Sequence, residues 1–454
     1  MSTQALLIPA RPEPPRAALS FPRFLRAVRT NALTMWPQEA YETNVLRQSF
    51  LGRERLLVND PDAIHRILVD NPGNYLRTAA SIRILQPITG RGLLLSEGDD
   101  WRLQRRTIAP ALAPRVIPML ARHIAACAQD AIARLRAASG APVDLLGAMQ
   151  TLALDIAGRS MFSLEVTRYG EPMRAALNVY AEKYARPHLL DMLLPSRIPS
   201  PRDFGRRRFS RRWMALMDEI MQARLAAPAS DTPRDLFDLL LAARDPETGA
   251  GFRHEQLRDQ VATLILAGHE TTAVTLFWAL TLLAQAPAEQ EALAAETAAL
   301  SFAGDDAAAT LGKLVRTRAM VSETLRLYPP AFTLARQAHG ADRAGAIDIP
   351  AGALLLIAPW VLHRHRRLWR DPDALDPSRF LPDAPPPPRF AYLPFGTGPR
   401  VCVGAQFALA EAALVLGAMM KSFQVELADP RPVLPVAVVT TQPDHAPRFR
   451  LRPR

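Results

Sequence analysis

The 454-residue chain has two cysteines, Cys127 and Cys402, and no others. Two thiols so far apart build no disulfide framework, and they agree with a reducing compartment. A structural zinc site is excluded as well, because it needs further Cys or His at short spacing. Lysine is almost as scarce: Lys183, Lys313 and Lys421 are the only three, so the net charge of +11 rests on arginine. No pattern of base-stacking aromatics accompanies that charge, which argues against nucleic acid and for an acidic protein partner. The N-terminus lacks a long apolar run. Only Ala5 to Pro9 is apolar within a Pro-rich arm, residues 1–20, too short for a signal or an anchor. Linkers and internal repeats are missing too. With 49% hydrophobic residues, residues 21–454 are expected to bury one core as a single domain, monomeric and cytoplasmic.

What is present reads mainly as helix, with a small β-rich region. "RLLVNDPDAIHRIL" predicts a short strand, a Pro-Asp turn and a helix; Ala/Leu-rich amphipathic stretches follow from about residue 100 to 330. "AIDIPAGALLLIAPW" predicts two strands about a turn, "PDAPPPPRFAYLP" an irregular approach, and "VVTTQPDHAPRFRLRPR" a closing hairpin. The apolar run Val261 to Leu283 is long enough to span a bilayer, but His269, Glu270, Thr271 and Thr272 lie at its middle. A buried central helix is the better reading, and its polar centre asks for a functional reason.

The second cysteine sits in "FGTGPRVCVG". Glycines let the backbone turn sharply there, and Pro399 stiffens the approach to Arg400. Cys402 lies just ahead of "AQFALAEAALVLGAMM", a buried helix whose N-terminal dipole and unpaired N–H groups favour a thiolate. A soft sulfur suits a metal or a nucleophilic role, and one sulfur alone fits haem iron better than zinc. Cys127, in a helical run, reads as a core thiol.

The spacing Phe395, Gly398, Arg400, Cys402, Gly404 resembles the haem-binding loop of the cytochrome P-450 family of haem-thiolate monooxygenases. The resemblance implies that family's fold, with a long central helix over the haem, and makes Cys402 the axial ligand of a haem b iron. "AGHET", Ala267 to Thr271, is similar to the family's oxygen-binding motif. Small Ala267 and Gly268 leave room for dioxygen. The Thr271 hydroxyl can bond the Ala267 carbonyl four residues back, loosening the helix into a groove. By the same resemblance Glu270 and Thr271 are the acid and alcohol that deliver protons to oxygen. His269 is read as a core or groove histidine.

Three further motifs stand in the family's order. Glu323 and Arg326 in "SETLRLYPP" would be buried and locked to Arg379 in "DPSRF", where Ser378 departs from the Glu of many members. Trp101 and Arg105 in "GDDWRLQRR", with Arg336 and Arg400, would hold the haem carboxylates, because guanidinium binds them in a fork and indole donates one N–H. Ala331 and Phe332 take positions that face the haem in the family. Arg77 to Arg91, Val179 to Leu194 and Val438 to Gln442, with Val439 and Thr440, would complete an apolar pocket in which Arg83 either meets a carboxylate or faces water.

The expected reaction is hydroxylation or epoxidation of an apolar lipid, terpenoid or aromatic molecule with dioxygen. No flavin or iron-sulfur domain follows, so a small acidic ferredoxin with its reductase is the expected electron source, docking near Arg102, Arg106 and Arg389. The rivals are a peroxide-driven peroxygenase and a haem-based sensor without turnover.

Overall fold

The computed structural model describes residues 6–50, 52–138, 140–163, 169–195, 198–226, 228 and 230–454. The architecture is mainly α with small sheets, as the patterns predict. Its axis is the helix His254–Gln285. That helix starts where the Gln256 side chain accepts the Arg253 N–H at 3.0 Å, and it ends before Pro287, which opens the next helix, Pro287–Thr297. It is long and apolar enough to cross a membrane by composition, but 67% of its apolar window is buried inside the fold.

The apolar groups form separate cores, and the axis helix passes through two of them. Its first half, with Leu257, Val261, Ala262 and Ile265, packs with Trp213, Met217 and Phe237. The second half, from Ala273 to Leu283, packs with Ala412 to Leu416, Met320 and Phe423. Full burial of Phe277 and Trp278 stabilises the second core by roughly 2–3 kcal/mol each. Ala267 to Thr271 fall at the seam between these cores, and Ala267 is exposed there although its helix is central. The polar centre of the run is thus where apolar packing is interrupted.

A third core lies under a five-stranded sheet ordered Val45–Phe50, Arg53–Val58, Leu354–Ile357, Leu334–Ala338, Tyr75–Leu76. The strand Arg53–Val58 and the helix Pro61–His65 stand where "RLLVNDPDAIHRIL" placed them. The closing hairpin does not form. Thr441–Pro443 pairs back with Pro435–Ala437, and Arg448–Pro453 pairs with Phe423–Leu427 and Val143–Asp144. Pro443 and Pro447 each lack an N–H, so the chain between them cannot continue a ladder.

The Pro-rich arm is docked over its described part, while residues 1–5 lie outside the described residues. The Leu7 carbonyl accepts the Leu375 N–H at 2.8 Å, the Ala10 carbonyl accepts the Tyr328 hydroxyl at 3.2 Å, and Arg11 pairs with Asp373 at 2.8 Å.

Two tight places generate predictions. Gly398 has φ +71°, and a Cβ there would lie 2.0 Å from the Leu68 carbonyl oxygen. Gly398→Ala is expected to destabilise by about 2–4 kcal/mol, read as a lower midpoint in chemical denaturation. Glu411, on the helix Ala405–Ser422, is buried against the axis helix; Oε1 has no partner among the described residues. Burial pushes its carboxyl well above the usual range, opposed by one hydrogen bond with Thr272. A raised carboxyl gives stability that is complete below its unfolded value and is lost as pH rises. Glu411→Gln should therefore gain on wild type by about 1.4 kcal/mol per pH unit above roughly 4.5. A melting-temperature difference that stays flat from pH 5 to 8 would refute this.

Candidate active site

The Cys402 loop is braced from behind. The Cys402 N–H donates to the Phe395 carbonyl at 2.9 Å, and the loop turns at Gly396 and Gly398, both with positive φ. Gly398 uses its freedom for close approach to Leu68, whereas Gly404 has φ −94° and only opens the helix Ala405–Ser422. Cys402 is exposed, in a recess walled by protein. Burial pushes its thiol up, the Gly404 N–H and Arg105 pulling it back less strongly. Burial thus works against the thiolate that the helix terminus favours, and a cation held at the sulfur would favour it.

Beside the loop, arginines converge with one carboxylate among them. Arg400 donates to Glu97 and, at 3.0 Å, to the Ser96 carbonyl; its guanidinium stacks 4.5 Å from the Trp101 ring centroid. Arg105 donates to the Val401 carbonyl at 2.8 Å. Arg336 is buried and donates only to the carbonyl of Ala335. Arg77, which the sequence reading placed in the pocket wall, joins them 4.0 Å from Glu97, and its Nε has no hydrogen-bond partner among the described residues. Burial, then Arg336 and Arg400, lowers Arg77 to about 9. Burial also lowers Arg336, with Arg400 adding to it. Such a set is short of anions, and two carboxylates from a haem fit it.

At the seam of the cores the Thr271 hydroxyl donates to the Ala267 carbonyl at 2.6 Å. The helix is not loosened: it stays α-helical from His254 to Gln285, and Thr263, Thr275 and Thr281 make the same four-back bond. What sets Thr271 apart is its exposure beside Ala267 and Gly268, where a Cβ on the glycine would meet nothing within 4 Å. Glu270 accepts the Thr440 hydroxyl at 2.7 Å and the Gln442 amide at 2.8 Å, both on Oε1. Thr440, expected to line the pocket, is buried and faces the acid instead. His269 is buried and held near the Gln150 carbonyl, and burial lowers it to about 4.

The bracing set is present. Glu323 and Arg326 are fully buried and share two bonds of 2.7 Å. Arg379 approaches Glu323 more loosely, at 3.8 Å, and donates to the Asp371 carbonyl at 3.0 Å. Ser378 bonds the Asp376 side chain that caps its own turn. The sequence reading missed His363. Its Nε2 accepts the Leu393 N–H at 2.8 Å, tying the approach to Cys402 to the helix Val315–Leu327; burial lowers it to about 3, so it is neutral.

The pocket residues divide. Ala331 is exposed, Phe332 packs into the core of Phe277 and Trp278, and Val439 is half-buried against the core of Trp213 and Phe237. Arg83 does not face solvent: it is buried, donates to the carbonyls of Leu190, Leu194, Pro195 and Ile198, and pairs with Asp203. Of the proposed docking cations, Arg106 is paired with Asp245 and Glu247 and Arg102 with Asp99, while Arg389 is exposed with no ion pair among the described residues.

The chain matches the cytochrome P-450 family over residues 13–446. It is 31% identical over 382 residues to cyclooctat-9-en-7-ol 5-monooxygenase of Streptomyces melanosporofaciens, which spans 83% of this chain and 81% of that protein. Pentalenene oxygenase of Streptomyces avermitilis is 31% identical over 373 residues, 80% of each chain. The solved haem domain of one cytochrome P-450 superposes with a TM-score of 0.78 at 25% identity over 90% of both chains. A second such structure, at 23% identity, shares the fold with a TM-score of 0.82. With a cysteine loop, an arginine set short of carboxylates and an acid–alcohol pair at the seam of two cores, the chain belongs to the cytochrome P-450 family and is a haem-thiolate monooxygenase.

Proposed function

We propose that this enzyme hydroxylates or epoxidises a neutral terpenoid, placing one atom of dioxygen in the substrate while two electrons and two protons reduce the other to water. The observation that carries the reading is the Thr271 hydroxyl committed to the Ala267 carbonyl beside a hydrogen-bonded Glu270. Because the hydroxyl proton is already donated, the lone pairs of Thr271 act as acceptors toward the groove and orient a proton-bearing oxygen or water there. Glu270 holds or passes a proton next to it. Ala267 and Gly268 leave space for a diatomic molecule. Haem b, when bound, would supply an iron that activates dioxygen, and Cys402 is the residue that would hold it. Trp101, Arg105, Arg336 and Arg400, joined by Arg77, would take its carboxylates, and Phe395, Gly398 and Gly404 shape the ligand loop.

Two observations favour a neutral substrate. Arg83 is consumed by four carbonyls and Asp203, so it offers no cation to a carboxylate. Ala331 and Val439 contribute only apolar surface. The two Streptomyces relatives bear the names of a cyclooctatenol monooxygenase and a pentalenene oxygenase, which points to polycyclic terpenoids over aromatics or fatty chains. A small acidic ferredoxin with its reductase is the proposed electron source, and Arg389 is the docking cation that no carboxylate already occupies. The reading is completed by a monomer in a reducing cytoplasm, with Cys127 buried and pushed up to about 12 by its apolar surroundings.

Reduced protein under carbon monoxide should show the red-shifted Soret band of thiolate ligation, and Cys402→Ala should lose it while the protein stays folded. A band at the histidine-ligated position, unchanged by the substitution, would overturn the assignment. Thr271→Ala should lower product per reductant consumed by about ten-fold or more and release hydrogen peroxide. A sensor would be indifferent to that change, and a peroxygenase supplied with peroxide would keep its rate.

A further inference from the structure

The turn between Pro435–Ala437 and Thr441–Pro443 makes contacts that the acid–alcohol reading does not use. Side chains alternate along an extended chain, so Thr440 and Gln442 share one side and Thr441 takes the other. Thr441 is the nail. Its carbonyl accepts the Trp278 indole N–H at 2.8 Å, and its hydroxyl donates to the Pro329 carbonyl at 2.6 Å. Both anchors are buried. Thr440 and Gln442 meet on Glu270 Oε1 at 2.7 and 2.8 Å, and the Gln442 amide also donates to the Thr440 hydroxyl at 3.1 Å. Glu270 has no ion pair among the described residues. Val439, next in the chain, packs against the core of Trp213, Met217 and Phe237, as do Leu264 and Leu266 of the axis helix.

We infer that Thr440 and Gln442 are positioning residues that hold the Glu270 carboxyl by a single oxygen and couple proton delivery to filling of the substrate pocket. The inference rests on the proposed role of Glu270 as the proton-handling acid. With Oε1 occupied by two donors, Oε2 is the oxygen on which a proton is taken up and from which it leaves, returning Glu270 to the carboxylate. A carboxylate held this way keeps one rotamer, whereas a free glutamate would sample several. Through Val439 the turn rests on the same core as Leu264 and Leu266, which precede Ala267, and would so form a wall of the pocket. A molecule seated over Ala267 presses on Val439 and moves the neighbouring donors, while Thr441 keeps the base of the turn fixed. A displacement of a few tenths of an ångström then changes two hydrogen bonds to the acid at once.

The test uses haem-loaded enzyme, reduced and mixed with dioxygen in H2O and in D2O. Thr440→Val and Gln442→Leu should each slow the proton-dependent consumption of dioxygen by about ten-fold, the size of one hydrogen bond to a charged group, and enlarge the solvent isotope effect. Thr440→Ser should recover most of the loss. In a Glu270→Ala background the same two substitutions should have no further effect, a result that a merely structural turn would not give. If Glu270→Ala slows consumption while both turn substitutions leave rate and isotope effect unchanged, the clamp is refuted and the role of Glu270 stands. If Glu270→Ala itself changes nothing, the proton-handling reading falls first. Coupling is read separately by amide hydrogen exchange of residues 438–442, with 4-phenylimidazole as the pocket-filling probe. Exchange should change on filling in wild type and not in Glu270→Ala; equal responses in the two proteins would overturn it.

Discussion

The buried Arg326 guanidinium divides its donors between both oxygens of Glu323, one turn back on its own helix, and the carbonyls of His363, Pro372 and Ala374, remote in sequence. It is fully enclosed, so each of those bonds is made in a medium where an unmade one is costly. The carbonyls it holds belong to the irregular chain between the sheet and the cysteine loop. His363, whose carbonyl is one of them, reaches forward to Leu393, and the Tyr392 hydroxyl returns to the Ser322 carbonyl at 2.8 Å. A loop with little regular structure thereby inherits the rigidity of the helix Val315–Leu327. Removing one partner of such a buried pair typically costs about 3–5 kcal/mol, and here the cost would fall on the position of Cys402.

A second imbalance lies on the other side of that loop. Arg77, Arg336 and Arg400 repel one another, with Glu97 as the shared anion. Burial around the Cys402 sulfur, meanwhile, works against its thiolate form. Each is unfavourable alone, and haem would answer both, with an iron suited to the Cys402 sulfur and carboxylates suited to the guanidiniums. The fold is thus arranged around a charge distribution that the polypeptide does not supply, so bound haem should contribute to stability as well as to chemistry.

Much of the site was legible because its motifs are local. Cys402 follows a glycine turn and precedes a helix within ten residues of chain, and Thr271 reaches back four residues to Ala267, a relation that helical periodicity makes predictable. Glu323 and Arg326 share a face for the same reason. The contacts that were not legible cross long stretches of sequence. Nothing local distinguishes Gln442 as a donor to Glu270, His363 as the acceptor for Leu393, or Arg83 as the hub for the chain from Leu190 to Ile198. The hairpin at the C-terminus was misread for a related reason: alternation marks a strand but does not name its partner, and the two prolines there sent each strand to a different neighbour. The helix terminus that favours a Cys402 thiolate could be seen in the sequence, whereas the burial that opposes it could not.

The proposed selectivity for a neutral ligand would follow from how the charges near the groove are engaged. A buried arginine beside a pocket ordinarily advertises an anionic substrate. Arg83 does not, because four carbonyls and Asp203 surround it, and those carbonyls belong to the segment that packs over the helix Ala79–Thr89. Its charge is used to hold one wall of the molecule to another. Glu270, the charged group at the groove, is turned toward Thr440 and Gln442 and is met there by neutral donors. On the proposed reading, a ligand entering between these walls would find both Arg83 and Glu270 already engaged. An anion would face the Glu270 carboxylate and a cation would have to compete with two hydrogen bonds, so the free energy of binding must come from apolar surface, at about 25 cal/mol per Å² removed from water. A rigid, polycyclic hydrocarbon skeleton supplies that area with the least loss of conformational entropy.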